Sequence, residues 1–125
     1  MTTMDLLPTF AKLAGAAIPA DRVIDGKDIW STLIGEAKTP HEMFFYHSGN
    51  QLLAVRSGKW KLHTNKGKPT QLYDLDSDIG EKKNLIKSNP EVVQRLNGYL
   101  KSFAKELADN SRPAAFVKNP NPLSQ

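Results

Sequence analysis

The stretch Leu53-Ala-Val-Arg-Ser-Gly-Lys-Trp-Lys-Leu-His63 decides the fold. Apolar and polar residues alternate along both of its arms, and a period of two belongs to strands whose faces meet different surroundings. With Ser57-Gly58 as the turn, Val55 faces Trp60 and Leu53 faces Leu62 on one side of a hairpin. The other side then carries Leu52, Ala54, Arg56, Lys59, Lys61 and His63. One apolar face and one mostly basic face predict an antiparallel sheet covered on a single side.

Outward from the hairpin, Met43-Phe-Phe-Tyr46 predicts a preceding strand that ends at the turn-like Ser48-Gly49-Asn50. Gln71-Leu-Tyr-Asp-Leu75 predicts a following one. Asn89-Pro90-Glu91 opens the longest helix, with an N-cap, a proline pre-set for the first turn and an acid that complements the helix dipole. Val93, Leu96, Leu100, Phe103 and Leu107 repeat at spacings of 3 and 4, a stripe expected to lie across the hairpin's apolar face. Nearer the N-terminus, residues 3 to 14 predict a helix with Leu6, Leu7, Phe10, Leu13 and Ala14 on one buried face and Gly15 at its end. A short helix is expected from Lys27 or Asp28 to Leu33, where Ile29, Trp30 and Leu33 share a face, and both Trp30 and Trp60 fall at core positions. The fold class is therefore α+β: a small antiparallel sheet of about four strands packed by a long C-terminal amphipathic helix, with one or two short helices before it. Residues 110–125 contain Pro113, Pro120 and Pro122 without periodicity and predict an extended or disordered tail.

Composition narrows the chemistry. The 125 residues hold no cysteine, which removes disulfides, thiolate nucleophiles and cysteine-based zinc sites. His41, His47 and His63 lack the close spacing of a local metal motif. No segment approaches the roughly 18 apolar residues of a membrane span, and Asp5 and Pro8 interrupt any leader-like pattern at the start. Net charge is +4 with a pI near 9.4, and Arg56, Lys59, Lys61, Lys66 and Lys68 form one basic run. A solvated hairpin face accounts for that run; so would an anionic ligand. Nucleic acid is not expected, because the basic side of the hairpin carries no aromatic residues for bases to stack on.

Two further clusters test as chemistry and fail. Asp74, Asp76 and Asp78 alternate as calcium ligands would, but Ile79 and Leu85 stand where a calcium loop needs glycine and a bidentate glutamate. Tyr46-His47-Ser48 and His63 offer groups that titrate near neutrality, yet no Gly-x-Ser-x-Gly elbow supplies a nucleophile. No catalytic residue and no metal ligand is assigned.

Four segments in order carry a resemblance: Met4-Asp-Leu-Leu-Pro-Thr9 with Leu13-Ala-Gly15; Asp25-Gly-Lys-Asp28 with Leu33-Ile-Gly35; Leu53 to His63; and Leu72-Tyr-Asp-Leu75 with Glu81 and Asn84-Leu85. Together they make the chain similar to the C-terminal part of the type I, arylsulfatase-like sulfatases. The resemblance implies that residues 1–42 are the end of a large α/β domain plus a connecting segment. It implies that residues 43–109 are the family's smaller C-terminal α+β subdomain. Family enzymes hydrolyse sulfate esters with a formylglycine beside a calcium ion, and both are expected in an N-terminal domain outside this chain. Ser111-Arg112-Pro113-Ala114-Ala115 superficially matches the family's nucleophile motif, but Ala115 replaces the closing arginine.

The resemblance further implies a chain inactive alone that supplies structure and one wall of the substrate cleft. By motif position His63 is expected to contact substrate, with His47 as a second candidate for its non-sulfate part. The implied partners are the N-terminal sulfatase domain in cis and a sulfated small molecule or carbohydrate. Secreted, periplasmic and lysosomal locations are common in the family. The competing expectation is a stand-alone binding module whose basic hairpin face takes anionic ligands. The resemblance implies that helix 3–14 normally packs into the large domain, so in this chain alone its apolar face is expected to fold back on the sheet or pair with a second copy.

Overall fold

The computed structural model describes residues 2–21 and 23–110. A 3-10 turn, Thr3–Asp5, leads into α1, Leu6–Leu13, and a short α2 follows at Trp30–Leu33. Four strands come next: β1, Met43–Ser48; β2, Gln51–Ser57; β3, Trp60–Asn65; and β4, Lys68–Asp74. The long α3, Pro90–Asn110, closes the described chain. The α+β class is as expected. The tail anticipated from residue 110 and the Ser111–Ala115 run lie outside the described residues, apart from Asn110, which ends α3.

The sheet is an antiparallel meander in the order β1-β2-β3-β4. Each connection is two residues long, at Gly49-Asn50, Gly58-Lys59 and Lys66-Gly67. The central turn thus lies one residue later than expected. Gly58 takes φ +56 at the first central position, where hairpin turns of this hand require glycine. Ser57 consequently stays in the strand and pairs with Trp60, while Val55 pairs with Leu62. Because side chains alternate with period two, the altered pairing leaves Val55, Trp60 and Leu62 on the anticipated face.

A second departure occurs at Leu53. Tyr46 pairs with Ala54 and His47 with Leu52, so Leu53 has no partner on β1. This bulge turns Leu52 rather than Leu53 against the core. The core itself is Val55, Leu62 and Leu72 from the sheet and Leu96 and Leu100 from α3, with Phe45 stacked on Phe103 at 3.9 Å. Burying each of these leucines contributes about 1.5–3 kcal/mol. Trp60 packs on this cluster as expected.

The N-terminal expectations need correction. Leu6, Leu7, Phe10 and Leu13 are exposed, Phe10 to 58%, and Trp30 and Leu33 are exposed as well. The helix therefore does not fold back on the sheet. What α1 and its approach bury is polar: Asp5 and Thr9 are both inaccessible. The Asp5 carboxylate accepts hydrogen bonds from the backbone N–H groups of Thr2 (3.0 Å) and Lys27 (3.1 Å) and pairs with His41 Nε2 at 2.6 Å. Thr9 donates its hydroxyl to the Asp5 carbonyl and accepts the N–H of the buried Ile29. Gly26 allows this approach, since a Cβ there would sit 1.9 Å from the Met4 carbonyl oxygen.

Candidate functional site

With α3 covering one face of the sheet, chemistry collects on the other. Strand pairing sets Phe44, Arg56, Lys61 and Tyr73 in one row across the sheet, and Tyr46, Ala54, His63 and Gln71 in the next. Ala54 is buried between its neighbours. Lys61 Nζ lies 4.7 Å from the centre of the Tyr46 ring, and the His63 and Tyr73 rings meet edge-on at 5.6 Å. The hairpin alone carried no aromatics on this side. The flanking strands β1 and β4 supply them, so the expected absence of aromatic residues from the basic face does not hold.

Glu81 reaches this face from the loop after β4. One carboxylate oxygen accepts Lys61 Nζ at 2.6 Å and the other meets His63 Nε2 at 2.8 Å. Burial pushes the Glu81 carboxyl up, but Lys61 and His63 outweigh it and hold the group below the ordinary range. Its backbone is left-handed, φ +53, and its N–H donates to the Asp78 carbonyl. That conformation costs a side-chain-bearing residue on the order of 1 kcal/mol or more, so the surrounding loop must hold it. The loop does so by three anchors. Asp78 accepts the N–H groups of Lys82 (2.8 Å) and Lys83 (2.7 Å) on one oxygen. Asn84 Oδ1 accepts the N–H groups of Leu72 and Ile86, and the N–H of Leu85 donates to the Leu72 carbonyl.

The same contacts redistribute the basic run. Lys59 is paired with Asp74 at 2.8 Å, raising the lysine pKa and lowering that of the acid, and Lys61 is paired with Glu81. Arg56 donates Nε to the Gly58 carbonyl and has no acid within ion-pair reach among the described residues. An open groove of about 710 Å³ adjoins it, bordered by the acids Glu42 and Asp76 as well as by His41, Phe44, Tyr46, Arg56 and Lys59.

The two anticipated substrate-contacting histidines are not brought together. His63 belongs to the cation–aromatic face; His47 points to the other side, edge-on to Phe103 at 5.7 Å. His41 binds Asp5. Glu81 escaped notice as a site residue because its partners lie 20 and 18 positions away; its place in a resemblance-bearing segment was the one available signal.

The described residues contain no group of three or more His, Cys, Asp or Glu able to hold a metal ion. Asp74 is engaged by Lys59 and the Asp76 N–H, and Asp78 by two backbone N–H groups. The calcium that the family resemblance implies therefore does not fit these residues.

These features define an α+β unit with one helix-covered face and one face of cations, aromatic rings and an imidazole. No family model matches the chain. Relatives do. An arylsulfatase from Hemicentrotus pulcherrimus is 44% identical over 78 residues, covering 61% of this chain and 14% of its own length. Arylsulfatase A from Bos taurus is 32% identical over 151 aligned positions, covering 99% of this chain and 29% of its own. A solved structure described with the metabolism of multiple glycosaminoglycans by Bacteroides thetaiotaomicron superimposes with a TM-score of 0.68 at 30% identity, over 81% of this chain and 24% of that one. The chain is thus a sulfatase-family sequence, matching the C-terminal part of type I, arylsulfatase-like sulfatases. It spans less than a third of the length of these relatives.

Proposed function

We propose that this chain is the portion of a sulfate-ester hydrolase that builds one wall of the substrate cleft and turns over nothing by itself. The observation that carries the proposal is the helix-free sheet face, where Arg56, His63 and Tyr46 present polar groups and a ring surface to a sulfated ligand, with the buried Tyr73 behind His63. The Arg56 guanidinium suits an anion, while the Tyr46 phenol and the ring nitrogen of His63 left free by Glu81 suit sugar hydroxyls. A sulfated carbohydrate agrees with the glycosaminoglycan context of the structural relative. The chain covers under a third of the length of its sulfatase relatives, which supports an N-terminal sulfatase domain joined in cis as the place of formylglycine and calcium.

Within this reading His63 contacts the ligand directly. His47, on the far side of the sheet, contacts it only where the cleft wraps around the β1 edge. Substituting each by alanine in the parent enzyme and measuring KM on its sulfated substrate tests both: His63→Ala is expected to raise KM, and unchanged values for both would sink the cleft-wall assignment. The 125-residue chain mixed with 4-nitrophenyl sulfate is expected to release no nitrophenol, and turnover would refute its inactivity. A stand-alone anion-binding module is the second reading. It draws on Arg56 and the adjoining groove, and predicts binding to sulfated glycans that weakens steeply with salt.

A further inference from the structure

Glu81 is an acid set among the cations and aromatics of this face, and it occupies a left-handed backbone that few glutamates adopt. A carboxylate only accepts hydrogen bonds, so its contact with His63 requires the proton on Nε2. In the neutral ring this leaves Nδ1 as the acceptor that His63 can still offer. The edge-on Tyr73 ring fixes the plane of the imidazole from a second direction. The other oxygen draws Lys61 back toward the loop while its ammonium sits over Tyr46.

We infer that Glu81 is a positioning residue for the ligand-binding face: bridging Lys61 and His63, it fixes the orientation and proton placement of His63 toward a sulfated sugar. The inference rests on the cleft-wall reading above. Glu81 does not touch the ligand; it acts through His63. Strain at φ +53 supports this role, since a glycine would satisfy the turn more easily, whereas the glutamate present aims its carboxylate at two partners.

Two measurements test it. In the intact 125-residue chain, ¹⁵N-edited NMR of the imidazoles is expected to show a His63 Nε2–H proton protected from solvent exchange. Glu81→Gly, which relieves the backbone and so keeps the fold, is expected to lose that signal. A signal unchanged in Glu81→Gly, or absent from the wild type, would overturn the inference. In the parent enzyme, assayed for sulfate release from 2-, 4- and 6-O-sulfated hexosamines, Glu81→Gly is expected to raise KM several-fold with kcat less affected. It should add nothing in a His63→Ala background. Equal KM effects in both backgrounds would show that Glu81 does not act through His63. If instead His63→Ala and His47→Ala both leave KM unchanged, the cleft-wall reading fails, while the NMR result still decides whether Glu81 holds His63.

Discussion

At the scale of single residues, the N-terminal segment depends on two positions whose neighbours are remote in sequence. Gly26→Ala would drive a methyl group into the Met4 carbonyl, a clash with backbone that cannot rotate away. A penalty of about 2 kcal/mol is expected, lowering hydrogen-exchange protection of the Ile29 amide on the order of thirtyfold; undiminished protection would show that the segment yields cheaply. Asp5 predicts a pH dependence. Burial raises its pKa, but the N–H groups of Thr2 and Lys27 together with His41 lower it more, from 3.8 to about 2. The depressed folded value means that its stabilisation is complete above about pH 4 and is lost as pH falls through about 2. Asp5→Asn should flatten the protection of the Lys27 amide across that interval, and a slope that persists in the variant would assign it to another acid. None of this was legible beforehand. Apart from Thr2, the partners of Asp5 lie 22 and 36 residues away, and no local pattern announces such a pairing.

At the scale of elements, the helix stripe and the alternating hairpin were legible because each is set by its own period. The stripe also grades as the packing dictates: Leu96 is fully buried, whereas Leu107 is 42% exposed. Leu96→Ala is therefore expected to cost about 3 kcal/mol and Leu107→Ala well under 1, read from urea midpoints; similar costs would mean that α3 docks along its whole length. The turn position was misjudged by one residue, because alternation fixes faces but not pairing, and the conformation of Gly58 chooses the pairing. The bulge at Leu53 hid for a similar reason: Leu52 and Leu53 are equally apolar. The loop after β4 carries its own prediction. Asp78→Ala removes the acceptor for the Lys82 and Lys83 N–H groups, and a lowered urea midpoint is expected. The protected His63 N–H should weaken with it, and an intact His63 signal would show that Glu81 holds its place without the loop.

At the scale of the whole molecule, two surfaces differ in kind. The sheet face is polar and aromatic, with its charges largely paired. The surface around α1 is apolar, with Leu7 and Phe10 each more than half exposed. Sequence periodicity identified the apolar side of α1 correctly but could not say whether anything in the chain covers it, since covered and uncovered stripes read alike. In isolation the chain is expected to self-associate through this surface. Sedimentation velocity over a concentration series should show it, and Leu7→Glu with Phe10→Glu should abolish it; a wild type monomeric throughout would mean that the exposed stripe is too small to pair. The meander has a consequence of another sort. Every strand pairs with its immediate successor across a two-residue connection, so contact order within the sheet is low and little loop-closure entropy opposes zipping. From Met43 onward the polypeptide can acquire its native pairings hairpin by hairpin, with α3 docking last. Its folding rate should be set locally, insensitive to the several hundred residues its relatives carry elsewhere.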